Sequence, residues 1–182
     1  TTEIYTSRET WRGGGGKAVF LCPAIMAGVH EDWYYTKIYR GIKRDFGDLP
    51  HVIFGRQTTP IDDTAVLPYL SDAELLDLYA RAPVFVDPST EPRHIHYSPI
   101  EAMVVGTPVL YRRGALSDIL ADHADLPGAC GTTEEMRDKA RRLLNGDHAL
   151  AEAIRATQGR IVETFSSDLA RRQWAAVLDR AP

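Results

Sequence analysis

Between Glu91 and Met103 the sequence reads EPRHIHYSPIEAM, which sets two carboxylates, one arginine, two imidazoles, a phenol and a hydroxyl within thirteen residues. Strand-to-helix connections are usually about two to six turn-forming residues, so this density of chemistry calls for a reason. A carboxylate at a ligand rim, such as Glu101, accepts two hydroxyl hydrogens from a ribose. Arg93, His94 and His96 add three potential cations, and the two imidazoles suit hydrogen bonds to a substrate. Arg112 and Arg113 follow the next apolar run. A metal reading of His94 and His96 with Glu91 or Asp87 falls short, because a metal site needs three or four ligands and this segment is a loop. No metal is expected. A serine nucleophile also lacks its Gly-x-Ser-x-Gly elbow.

These residues need a scaffold, and the chain alternates apolar strands with helical patterns. Lys17–Cys22, His51–Gly55, Val84–Val86 and Thr107–Tyr111 read as strands, with weaker ones at Ala65–Leu67 and Gly128–Cys130. After Glu31, residues Tyr35, Ile38, Tyr39, Ile42 and Phe46 share a helical face. Ser71-Asp-Ala-Glu74 is a capping box opening a helix to about Ala82, and Ser98-Pro-Ile-Glu101 repeats the pattern before a helix that stops at Gly106. Further helices follow around Leu116–Ala121 and over Thr133–Leu144. Two more close the chain, one with Leu150, Ile154, Ile161 and Phe165 on a face, the last with Trp174 and Leu178. Such alternation predicts an α/β fold, a Rossmann-like parallel sheet with helices on both faces. Ligands then bind at the carboxyl ends of the strands, where Glu91 to Glu101, Arg112 and Arg113 fall. For Glu101, a helix cap and a hydroxyl acceptor are both open.

The run from Leu70 to Leu110 resembles the nucleotide-sugar-binding half of retaining GT-B glycosyltransferases of the "glycosyl transferases group 1" family. The resemblance rests on Ser71, Pro88-Ser89, Glu91, Glu101-Ala-Met103 and Gly106-Thr-Pro-Val109, with Phe165-Ser166 and Trp174 near the end. It implies a C-terminal donor-binding domain over residues 17–182 that takes a nucleotide-diphosphate sugar, with no other cofactor. Glu91 would face the sugar as the catalytic candidate, Glu101 the ribose and the Ser98 helix end the diphosphate. The acceptor, whether sugar, lipid or small molecule, would bind a missing N-terminal domain, consistent with a first residue other than methionine. Two departures stand out. Nine residues separate Glu91 from Glu101, more than the family's usual spacing, so Arg93 holds the strictly spaced position, and His94, Ile95 and His96 fill a turn where glycines are usual. The segment Pro23 to Asp32 also lacks the arginine and lysine that the family gives to the phosphates. Arg93, Arg112 and Arg113 are the replacements on offer.

The whole chain fits one domain: 182 residues, 44% hydrophobic and 25% charged, can bury a core. A net charge of −4 without single-sign blocks argues against nucleic acid as a partner. No apolar run is long enough for a membrane span, and no signal-peptide core opens the chain. A cytoplasmic location, at most peripheral to the inner membrane face, is expected. Residues 1–16 end in four glycines and read as a flexible lead-in; Gly13 to Lys17 is no phosphate loop, because Ala18 and a strand follow the lysine. Cys22 and Cys130 read as small buried hydrophobes. The competing class is a non-catalytic nucleotide-binding module, or a flavodoxin-like regulatory domain, for which no phosphate-accepting aspartate stands in a suitable context.

Overall fold

The computed structural model describes residues 10–94 and 96–178. Ile95 and residues 1–9 lie outside the described residues. Five strands, β1 (Ala18–Leu21), β2 (His51–Phe54), β3 (Phe85–Asp87), β4 (Val109–Arg112) and β5 (Ala129–Cys130), pair in parallel in the order β2-β1-β3-β4-β5. Ala65 to Leu67, expected as a short strand, forms a single parallel bridge from Val66 to Ile53 on the outer side of β2. Counting it, the six extended segments run third-second-first-fourth-fifth-sixth across the sheet, the doubly wound dinucleotide-binding order. The point where that order reverses lies between β1 and β3.

Side chains of one strand alternate between two cores. Phe20, Ile53, Val86 and Leu110 pack on one face under α1 (Tyr34–Phe46) and α5 (Thr133–Leu144), through Ile42, Phe46, Met136 and Leu143. Val19, Val52, Phe85 and Val109 pack on the other face under α2 (Asp72–Arg81), α3 (Tyr97–Val105) and α6 (His148–Glu163), through Tyr79, Ile100, Met103 and Ile161. The short α4 (Leu116–Leu120) and the final α7 (Ser167–Leu178) complete the chain. Gly106 ends α3 with φ of 92°, a left-handed position that favours glycine.

Three expectations need correction. β4 begins two residues later than the apolar run and includes Arg112, because Pro108 cannot donate to the ladder. Residues 10–16, expected as flexible, cross the amino edge of the sheet on a bonded path. Thr10 and Trp11 donate to the Val105 carbonyl at 3.0 Å, Arg12 to that of Ala80 at 2.8 Å and Gly15 to that of Arg81 at 2.8 Å. The Trp11 indole donates to the Ala82 carbonyl at 2.8 Å, with the Arg155 guanidinium 4.5 Å above its ring. Last, the closing helix does not bury its apolar stripe: Trp174 and Leu178 are each 67% exposed.

Candidate functional site at the sheet's carboxyl edge

Two loops leave the carboxyl edge at the reversal point, one after β1 and one after β3. The second begins with a chain of side-chain-to-backbone bonds. Asp87 accepts from the Ser89 N–H at 3.2 Å, and the Ser89 hydroxyl accepts from the Glu91 N–H at 3.2 Å. Burial at the strand end pushes Asp87 up to about 6, against the pull of the Ser89 N–H. Tyr34, first residue of α1, meets this loop; burial raises its phenol, while a hydrogen bond with the Ser89 side chain opposes the shift. Glu91 and Arg93 are exposed. His94 and His96 fold back on α1: their rings lie 4.2 Å apart, with Tyr34 5.8 Å from His94 and Tyr35 6.5 Å from His96. His96 is held below its usual range, first by burial and then by the charge of His94, and its buried Nε2 has no hydrogen-bond partner. An aromatic cluster thus fills the turn where the resemblance implied glycines.

The second carboxylate stands elsewhere. The Ser98–Glu101 capping box expected from sequence does not form. The helix starts earlier, with His96 at the N-cap and no side-chain cap bond, so Ser98 is already inside the first turn. Glu101 therefore falls mid-helix, only 4% exposed, and its Oε2 accepts a long hydrogen bond of 3.4 Å from the Tyr79 hydroxyl on α2. Burial pushes its carboxyl up, and the Tyr79 bond draws it partly back. The rim position expected for Glu101 gives way to a buried one between two helices, because the α2–α3 contact satisfies it better than the local cap.

The arginines part company at the end of β4. Arg113 is exposed and ion-paired with Asp125, with buried Asp118 at 4.0 Å. Arg112 is half-buried and lines a groove of about 230 Å³ between α1 and α5, together with Ile38, Pro88, Thr90, Thr133 and Met136. Its buried Nη1 has no hydrogen-bond partner. Among the described residues no three of His, Cys, Asp and Glu gather as a metal site would require.

Known proteins were compared on this basis. No family model matches the sequence, and no curated protein matches it. Solved structures do. TarM aligns at a TM-score of 0.61 and 17% identity over 93% of this chain and 36% of its own. A point mutant of Staphylococcus aureus TarM, in complex with fondaparinux, α-GlcNAc-glycerol and UDP, aligns at 0.55 and 18% over 93% and 36%. A mutant of Thermobaculum terrenum O-GlcNAc transferase aligns at 0.50 and 18% over 90% and 37%. The chain has the fold of one Rossmann-like half of a GT-B glycosyltransferase. It spans about a third of the length of these structures.

Within that GT-B half, the sequence points to the β3 loop and to the arginines, to Asp87 only through the metal reading set aside above, and not to Tyr34 and Tyr35 as parts of the rim. Asp87 carries one usable signal, an acid closing an otherwise apolar strand. The tyrosines carry none, since their partners His94 and His96 lie about sixty residues away in sequence. Cys22 and Cys130 are buried, and burial pushes their thiols to about 12 and about 11, so neither is a nucleophile.

Proposed function

We propose that this chain is the donor-binding domain of a glycosyltransferase that takes a nucleotide-activated sugar at the reversal point between β1 and β3. The observation that carries the reading is a pair of acids, Asp87 at the end of β3 and Glu91 exposed on the loop that follows, at the reversal point of a GT-B-type sheet. Glu91 serves the sugar. The start of α3, which has no side-chain cap, offers its N–H groups and the Ser98 hydroxyl to the diphosphate. His94 and His96 contact donor or acceptor, and Arg93 stands beside them. The other half of the enzyme supplies the acceptor site, so transfer with retention belongs to the longer protein. No described helix is long and apolar enough to cross a membrane; a cytoplasmic location is part of the proposal. The domain so read covers residues 17–182.

Glu101 remains the ribose acceptor in this reading, and its burial makes that role conditional: the ligand must exchange with the Tyr79 hydroxyl. Thermal-shift screening of nucleoside diphosphates and nucleotide sugars tests the reading, with UDP first because a structural relative holds it. A ligand at a hundred times its Kd stabilises by about 2.7 kcal/mol. A clear rise in Tm with one base, weakened in Glu101→Gln, is expected. No stabilisation by any nucleotide would leave a module without donor binding.

A further inference from the structure

The contact between the β3 loop and α1 is made by two imidazoles that lack what a charged imidazole needs. The rings of His94 and His96 lie 4.2 Å apart and pack on Tyr34 and Tyr35. The ring series continues through Trp33, 6.3 Å from Tyr35, to His30, 6.4 Å from Trp33. Neutral rings suit such packing. Cations do not. The buried Nε2 of His96 has no hydrogen-bond partner, so a proton placed there would lack an acceptor. His96 is also the N-cap of α3, where the helix dipole opposes positive charge, and Arg93 stands three residues before it.

The groups around the pair do not offset this. α1 brings Tyr34 and Tyr35, both pushed up by burial and so neutral, and the residue after β1 is Cys22, whose thiol is pushed to about 12. In the loop after β1, Glu31 is taken by Arg40 and Asp32 by Lys37. On the β3 side, Asp87 and Glu91 bear on Tyr34. The imidazole that does have a carboxylate, among the described residues, is His123, with Asp118 2.7 Å from its Nδ1. We infer that His94 and His96 are a proton-operated catch: as neutral rings they hold the β3 loop and the start of α3 against α1, and on protonation they let both go. The catch does not depend on what the rim binds. Its sign follows from His96, which burial and then the charge of His94 hold below the ordinary 6.5. A detached ring takes the proton more readily than a packed one, so the catch is fully closed above about pH 6.5 and weakens as the pH falls below it. Asp87, at about 6, titrates in the same window with the opposite sign, because its protonated form is favoured in place. Its protonation favours the folded strand end while that of the histidines loosens the loop.

Histidine ring resonances and amide hydrogen exchange, followed in the 182-residue chain from about pH 8 to about pH 5, test the catch. The His96 ring is expected to titrate below 6.5. The Glu91 amide, which is bonded to the Ser89 hydroxyl, is expected to lose protection by roughly tenfold or more over that range, after correction for its intrinsic rate. His96→Phe keeps a ring against Tyr35 without a proton site, so the loss disappears there, whereas Asp87→Asn retains it. Both readings on the unaltered chain hold whether or not a variant folds. A His96 ring that titrates at 6.5 or above, or Glu91 protection equal at the two ends of the range, overturns the catch. So does a loss that persists in His96→Phe or that Asp87→Asn abolishes.

Discussion

The chain writes the same four-residue signature twice and folds it two ways. At Ser71-Asp-Ala-Glu74 the capping box closes: the Glu74 carboxylate accepts from the Ser71 N–H at 2.8 Å, and the Ser71 hydroxyl receives the Glu74 N–H at 3.4 Å. At Ser98-Pro-Ile-Glu101 the helix begins at Tyr97, no side chain caps it, and the glutamate turns inward to Tyr79. The difference lies in what surrounds the two glutamates. Glu74 faces water, where the local backbone is its best partner, while Glu101 faces another helix that offers a buried phenol. Where a residue declines a good local option for a tertiary one, sequence-level reasoning fails, and α3 starts without a side-chain cap.

Replacing each member of the comparison should rank the terms. Glu101→Ala removes an acceptor from the buried Tyr79 hydroxyl and opens a void, an expected loss of about 2–4 kcal/mol by denaturant unfolding. Glu101→Gln keeps the acceptor without a charge that burial disfavours, and its stability should stay within about 1 kcal/mol of the parent. A loss in the Gln variant as large as in Ala would mean that the charge itself, not the acceptor, holds α2 to α3.

The acid at the other side of the rim gives the next largest effect. Asp87 titrates near 6 in the folded chain against 3.8 when unperturbed. The folded state therefore binds the proton more tightly, so this group's contribution is fully present below pH about 4 and is lost as the pH rises through 6. Asp87→Asn should flatten that part of the stability–pH curve and raise neutral-pH stability by about 1–2 kcal/mol after allowing for solvent screening. Urea midpoints at several pH values, with and without the substitution, decide it. Parallel curves for the two proteins would remove Asp87 as the strained group.

The smallest effects separate the two serines. Ser71→Ala should cost about 1 kcal/mol, the usual value of a lost cap. Ser98→Ala should cost less than about 0.3 kcal/mol by the same unfolding measurement, because its hydroxyl holds no cap. Equal costs would mean that both boxes form in solution.

Periodicity carried most of the fold into view because it depends only on neighbours in sequence. The alternation of Val19 and Phe20 between opposite cores, and the turn-spaced Tyr39, Ile42 and Phe46 of α1, are local facts with global consequences. The Ser71 box was equally legible. What stayed hidden depends on partners brought together by folding: Glu101 on Tyr79, the histidines on Tyr34 and Tyr35, and residues 10–12 on the carbonyls of Ala80 and Val105. The exposure of Trp174 and Leu178 was also illegible, since an amphipathic stripe in sequence does not say whether anything covers it.

Every pairing in the sheet is parallel, and β1 sits between β2 and β3. No strand pair can therefore close through a hairpin; each waits for a crossover, and loop closure precedes the reward of contact. β1 gains its second neighbour only when Phe85 has been synthesised and brought back to Val19. The rings of Tyr34 and Tyr35 cannot meet His94 and His96 before then. The rim acquires its shape late, after the strands that carry it are already side by side.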